Sequence, residues 1–186
     1  MGLSTKYRKS MEHKWVIRLK TIHPREKNFE GVVLHNGRNY IVLAEVDQFE
    51  FNGLLILPKR VLAGCRDGAS EEVANQNVRM NGALQRIKLP TWLGACGTLR
   101  EALAAVDCKR IWPAVEILYN DNRFSALYLG PITRISGTRI WQRCYDAAGE
   151  WEREYEYNER EVFRVELQSR YCRHFNRYMK TRPRPE

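Results

Sequence analysis

The sequence lacks a long hydrophobic run and an apolar stretch near its start. Its apolar runs fall far short of the roughly 18–20 residues that a membrane-spanning helix needs, so no membrane span is expected. The basic opening segment is not followed by the apolar stretch of a secretory signal peptide. These two absences predict a cytoplasmic protein.

The sequence also lacks closely spaced pairs of cysteine or histidine. Its five cysteines are Cys65, Cys96, Cys108, Cys144 and Cys172. A structural zinc site needs four converging ligands, which usually occur in close pairs. An odd number of cysteines without an export signal is typical of free thiols. No metal site and no cofactor are therefore expected.

Recognisable catalytic motifs are missing as well. Gly64 and Gly68 are not followed by the Lys-Ser/Thr of a phosphate-binding loop. Glu152, Glu154 and Glu156 alternate along one predicted strand, which is typical of a solvated face. The sequence therefore predicts a non-enzymatic protein without catalytic residues.

Positive charge is abundant and lies at the two ends of the chain. The 186 residues carry a net charge of +9. Residues 1–30 contain eight basic and three acidic residues, and 163–186 contain seven and two, a net of +5 in each segment. If the two ends meet in space, they form a basic face that attracts phosphate, an anionic lipid surface or an acidic protein. The alternative is that these charges only keep the protein soluble.

Alternating apolar and polar residues predict two series of strands. Residues 15–19 show the period-two pattern of a half-buried strand. Asn36-Gly37 predicts a hairpin turn, since both residues tolerate a positive φ. A similar succession of strands, hairpins and short polar turns returns over 111–167. The pattern therefore repeats, with a unit of about 50–60 residues.

The segment between the two series is predicted to be helical. Residues at three- and four-residue steps predict an amphipathic helix with a buried stripe: Val73, Asn77, Met80, Leu84 and Ile87. Thr98 followed by Glu101 is the signature of a capping box at the start of a second helix.

The first series has five strands with a three-residue turn before the last, an order that resembles a small SH3-like barrel. The expected fold is therefore mainly β with helices (α+β), with two SH3-like small β-barrels. The expected domains are a first barrel over 1–65, a helical linker over 66–110, a second barrel over 111–168, and a basic C-terminal amphipathic helix and tail over 169–186.

The C-terminal segment predicts a helix with two distinct faces. Ser169 is its expected N-cap. Tyr171, Phe175 and Tyr178 share one face, which we expect to pack on the second barrel. The opposite side gathers basic residues within roughly 80° of one another: Arg170, Arg173, Arg177 and Lys180. This basic face is a candidate binding surface, because Arg forms bidentate contacts with phosphate and carboxylate groups.

The first series of strands resembles Sm-like proteins. Gly31-Val32-Val33, followed by Asn36, Asn39 and Ile41-Val42-Leu43, is similar to the first Sm motif, in which a glycine lies in a bent strand and a loop holds an RNA base. The second motif has Arg-Gly after an apolar residue, whereas Leu62 is followed here by Ala63-Gly64. The second series has neither motif. The resemblance therefore implies the small-barrel fold, and not ring assembly or an RNA base pocket.

A binding function is the resulting expectation. The first barrel contributes a second set of candidate residues from its loops: Arg38, Asn39, Lys59 and Arg60. We expect nucleic acid, most plausibly RNA, to bind the basic ends and to stack on exposed aromatic residues such as Tyr7, Tyr40 or Trp141. The alternative is a protein–protein adaptor whose partner has an acidic surface. The oligomeric state stays open.

Overall fold

The computed structural model describes residues 2–23, 27–119 and 124–183. Within these ranges the chain forms six helices and eleven strands. The helices are α1 (Leu3–His13), α2 (Ala69–Met80), α3 (Ala83–Arg86), α4 (Thr91–Gly94), α5 (Leu99–Cys108) and α6 (Arg170–Met179). The strands are β1 (Val16–Thr21), β2 (Asn28–Asn36), β3 (Tyr40–Asp47), β4 (Glu50–Pro58), β5 (Leu62–Arg66), β6 (Ala114–Tyr119), β7 (Phe124–Leu129), β8 (Ile132–Ser136), β9 (Arg139–Tyr145), β10 (Trp151–Asn158) and β11 (Val162–Leu167).

Most strands belong to one large antiparallel sheet. In the described part of the chain, eight strands follow the order β5-β1-β2-β3-β4-β11-β6-β7, and β10-β9-β8 form a separate three-stranded sheet. The two series of strands meet where β4 pairs with β11, for example Ile56 with Val165. The large sheet therefore crosses from the first predicted domain into the second.

The prediction of two SH3-like or Sm-like barrels is wrong, whereas the α+β content is confirmed. Neither sheet closes into a barrel within the described residues. Alternation identifies each strand separately and contains no information about a distant pairing partner. Gly53 makes the unexpected pairing possible: its φ is +126°, and a Cβ atom there would lie 2.7 Å from the carbonyl oxygen of Leu167.

The two series nevertheless place their strands in the same order. Only Gly130 and Pro131 separate β7 from β8. If β7 and β8 are counted as one interrupted strand, the order in the second series is β11-β6-β7/β8-β9-β10. This order corresponds to β5-β1-β2-β3-β4 in the first series. Gly31 and Gly130 occupy matching places, because a Cβ atom at either would overlap a carbonyl oxygen of the next strand, that of Ala44 or of Arg143.

The helical linker packs with a different face from the predicted one. Val73 and Met80 are 54% and 83% exposed, while Val78 is buried. Asn75 explains this orientation: its Oδ1 accepts a 2.7 Å hydrogen bond from the N–H of Val16, and its Nδ2 donates to the carbonyl oxygen of Val16. These bonds fix α2 against β1 through a polar residue that hydrophobic periodicity does not register.

The two basic ends of the chain pack at opposite ends of the large sheet. Helix α1, which was not predicted, contacts β1, β2 and β5 and buries Tyr7. Helix α6 packs on Ala114, Leu129 and Tyr145, which belong to β6, β7 and β9. Because the two ends lie apart, a candidate site has to be sought around each of them separately. None of the described helices is both long enough and apolar enough to span a membrane.

Candidate functional site

Helix α6 is held in place by small and polar side chains. Ser169 caps it, as predicted, by accepting a hydrogen bond from the N–H of Cys172 at 3.1 Å. Cys172 and Met179 are buried, whereas Tyr171 and Tyr178 are 43% and 48% exposed. The prediction that the aromatic face packs on the second series of strands is therefore wrong for Tyr171, whereas Phe175 stacks on Tyr145 and the Tyr178 ring lies against Gly149.

A polar bridge joins α6 to the segment that follows α5. Asn176 accepts a hydrogen bond from the Tyr145 hydroxyl at 2.8 Å and donates one to the carbonyl oxygen of Trp112, also at 2.8 Å. The bridge sets the spacing between the basic side of α6 and residues 109–112. A cleft lies between them.

This C-terminal cleft collects positive charge around an aromatic ring. It has a volume of about 450 Å³. Its principal lining residues are Lys109, Arg110, Trp112, Arg173, Arg177 and Lys180. An adjoining cavity of about 540 Å³ shares Arg110, Trp112 and Lys180 and extends to Asp107, Pro131 and Ile132. The Lys180 ammonium lies 5.4 Å from the centre of the Trp112 ring, within cation–π range.

Arg110 has an unusual backbone conformation. Its φ is +52° directly after α5, and its N–H donates to the carbonyl oxygen of Asp107 at 2.7 Å. Glycine is the preferred residue at such a left-handed helix end, because a Cβ atom is disfavoured there. The chain therefore carries an arginine in the cleft at a position where glycine would be the more stable choice.

Three of the four predicted α6 residues line this cleft. Arg173, Arg177 and Lys180 do so, whereas Arg170 points elsewhere and pairs with Asp47 at 2.8 Å. The sequence analysis missed Lys109, Arg110 and Trp112. The signal that would have revealed them is the basic dipeptide directly after the predicted second helix, with a tryptophan two residues further on.

The second set of predicted residues lines another cleft. This junction cleft has a volume of about 460 Å³. Its lining residues are Arg38, Asn39, Lys59, Arg60, Thr138, Glu159 and Arg160. All four loop residues singled out from the sequence are therefore brought together, and Arg160 joins them from the second series of strands.

Two of these four residues have structural partners. Asn39 accepts a 2.8 Å hydrogen bond from the N–H of Leu99. Arg60 donates to the carbonyl oxygens of Glu159, Arg160 and Val162 at 2.8, 3.1 and 2.5 Å. Their side chains hold the cleft together and are not free to bind a ligand.

The remaining cations of both clefts lack carboxylate partners. Across residues 2–23, 27–119 and 124–183, no ion pair involves the following residues: Arg38, Lys59, Arg160, Lys109, Arg110, Arg173, Arg177 or Lys180. Other exposed arginines are paired, such as Arg86 with Glu50 and Arg139 with Glu156. The C-terminal cleft therefore concentrates positive charge that no ion pair compensates within the described residues, whereas Glu159 also lines the junction cleft.

The aromatic residues expected to stack on bases are not available. Tyr7 and Tyr40 are 5% and 0% exposed. Trp141 is half-buried, and the Arg134 guanidinium covers its ring at 3.8 Å. Trp112 in the C-terminal cleft is also half-buried, and its ring meets the Trp151 ring edge-on at 5.7 Å and the Lys180 ammonium at 5.4 Å.

The chemistry of the cysteines does not point to a reactive centre. All five are free thiols, and burial raises the pKa of Cys144 to about 12. Over the described residues, no three His, Cys, Asp or Glu side chains are placed to hold a metal ion. Comparison with protein-family models, curated proteins and solved structures finds no match. Any functional assignment therefore depends on the two clefts themselves.

Proposed function

We propose that this protein binds RNA through the C-terminal cleft. The observation that supports the proposal is the convergence of five cations without described carboxylate partners around Trp112. Phosphate groups release condensed counterions when they meet such a surface, which drives association. Arginine contributes bidentate contacts with phosphate oxygens, and an aromatic ring offers a platform for an unpaired base.

Single-stranded RNA fits this cleft better than a duplex. Proteins recognise RNA sequence in loops and ends, where unstacked bases reach aromatic side chains. Trp112 lines both the C-terminal cleft and the adjoining cavity, together with Arg110 and Lys180. A flexible strand can enter such a cleft, whereas a rigid helix meets only its rim.

The proposal is tested by the affinity of a fluorescein-labelled single-stranded RNA, measured by anisotropy at two salt concentrations. The double variant Arg173→Ala/Arg177→Ala is expected to bind at least about tenfold more weakly, because it loses two phosphate contacts. The salt dependence of its affinity should decrease as well. Arg170→Ala is the control, because it removes one positive charge from the same helix outside the cleft, where the double variant removes two from inside it. Equal losses in the two proteins, or no loss in either, would contradict the proposal. A DNA strand of the same sequence shows whether the 2′-hydroxyl contributes.

A second candidate function is binding of a protein partner. The observation that favours it is the exposed apolar pair Val73 and Met80 on one side of α2. A pull-down at high salt separates the two functions, because apolar association survives salt whereas phosphate binding weakens. Val73→Ser/Met80→Ser would abolish a salt-resistant complex and leave RNA binding unchanged.

A further inference from the structure

The two clefts lie at opposite ends of the same pair of elements. Helix α5 begins at Leu99, which is bonded to Asn39 of the junction cleft, and ends just before Lys109 and Arg110 of the C-terminal cleft. Strand β8 begins at Ile132, beside the C-terminal cleft, and the next turn brings Thr138 into the junction cleft. Helix α5 contacts β8 along the way.

These elements also set the distance between the clefts. The 10 residues of α5 span about 15 Å at 1.5 Å per residue. The five residues of β8 span about 16 Å at roughly 3.3 Å per residue, and the turn after Ser136 leads on to Thr138. The clefts are therefore separated by about 15–20 Å. A stacked nucleic-acid strand advances about 3.4 Å per nucleotide, so about 4–6 nucleotides bridge this distance.

We infer that the two clefts are the ends of one binding track for a single RNA strand. This inference rests on the proposed binding of RNA to the C-terminal cleft. The strand would place phosphates on Arg173 and Arg177 at one end and on Lys59 and Arg160 at the other. A ligand of three nucleotides would reach one cleft only.

The junction cleft is organised in advance for this role. Arg60 binds three backbone carbonyl oxygens of the segment 159–162, so it fixes the turn that presents Arg160. The N–H of Lys59 donates to the carbonyl oxygen of Asn39 at 2.8 Å, which fixes the turn that presents Lys59. Glu159 is the acidic residue of this cleft, and a bound phosphate has to avoid it.

The experiment compares oligouridylates of three and nine nucleotides by anisotropy, using the full chain and the double variant Lys59→Ala/Arg160→Ala. The unmodified protein should bind the nonamer at least about tenfold more tightly than the trimer, because the second cleft acts at high effective concentration. The variant should bind the trimer normally and lose most of the gain with length. Arg86→Ala is the matched control, since Arg86 lines neither cleft and pairs with Glu50.

Each outcome separates the track from the proposed function. If the gain with length survives in the double variant, or if no gain occurs in the unmodified protein, the track is wrong although RNA binding stands. If neither oligomer binds, or if Arg173→Ala/Arg177→Ala has no effect on the trimer, the proposed function itself fails. The charge-conserving variant Lys59→Arg should retain the gain, and a thermal melt of each variant confirms folding.

Discussion

The side-chain Oδ1 of Asn39 accepts a 2.8 Å hydrogen bond from the backbone N–H of Leu99. Leu99 is the first residue of α5, and the first N–H groups of a helix have no partner within it. Thr98 and Glu101 satisfy others through the predicted capping box. Asn39, which the sequence analysis placed among the candidate binding residues, thus connects the β2–β3 hairpin to the start of α5.

Asn39→Ala is expected to lower the free energy of unfolding by about 1 kcal/mol, because the N–H of Leu99 loses its acceptor. Asn39→Asp keeps an acceptor at the same position and should lose much less. Urea denaturation of the three proteins provides the measurement. A loss of the same size in both variants would show that the hydrogen bond is not the cause.

Gly31→Ala is expected to destabilise the protein by about 2–4 kcal/mol, since its Cβ atom would overlap the carbonyl oxygen of Ala44. Gly64→Ala is the matched control in β5 of the same sheet, where the nearest atoms would lie 3.9 Å away. It should change stability by no more than about 0.5 kcal/mol. Thermal unfolding measures both, and similar melting temperatures would rule out the steric explanation.

Glu116 should make the free energy of unfolding depend on pH. Burial opposes its ionisation, but the ammonium of Lys27 at 2.6 Å and the guanidinium of Arg164 at 2.8 Å overcome this and lower the pKa of Glu116. His23 also lies 3.3 Å from the same carboxylate. A lowered pKa in the folded state stabilises the protein above the unfolded pKa of about 4.3 and ceases to do so as the pH falls through the folded pKa.

Glu116→Gln is therefore expected to lose about 2–3 kcal/mol of unfolding free energy at pH 7, because it removes the ion-pair partner of Lys27 and leaves Arg164 paired with Glu166 alone. The difference from the unmodified protein should shrink as the pH falls below the unfolded pKa of about 4.3 and through the lowered pKa of Glu116 in the folded state. Urea unfolding at several pH values tests this. A difference that stays constant with pH would show that Glu116 acts through packing and not through its charge.

One thiol per folded chain should react rapidly with a thiol reagent at pH 8. Cys108 is exposed, whereas burial raises the pKa of Cys144 to about 12 and the pKa values of Cys65 and Cys172 to about 11. Cys96 is also buried, and burial raises its pKa as well. Only the thiolate reacts at a useful rate. Cys108→Ser should remove the fast phase of a colorimetric thiol titration. A fast phase that persists would place the reactive thiol elsewhere.

The strands could be predicted from the sequence, but the pairing of β4 with β11 could not. Alternation reports which residues of a strand face a core, and it does so for β4 and β11 separately. The close approach at Gly53 depends on residues more than a hundred positions away. The orientation of α2 was missed for a similar reason, since Asn75 anchors it through hydrogen bonds that periodicity does not detect.

The candidate site was predicted in part because charge patterning on a helix is a local property. Arg173, Arg177 and Lys180 share a face at helical spacing, and the structure keeps them together. Lys109 and Arg110 reach the same cleft through a tertiary contact, the bridge from Asn176 to Trp112. Arg170 leaves the group because Asp47, distant in sequence, lies close enough to pair with it.

The pairing of β4 with β11 has a consequence for the outer edges of the molecule. Inside the large sheet this contact is apolar, as between Ile56 and Val165. The corresponding outer strands carry charge instead: Glu154 and Glu156 on β10 are exposed, and Lys6 covers the edge of β5 by donating to the carbonyl oxygen of Cys65. Charged edges discourage another chain from extending a sheet. The two halves of the protein thus pair with each other through β4 and β11, and the charge at β5 and β10 disfavours the addition of a strand from another chain at those edges.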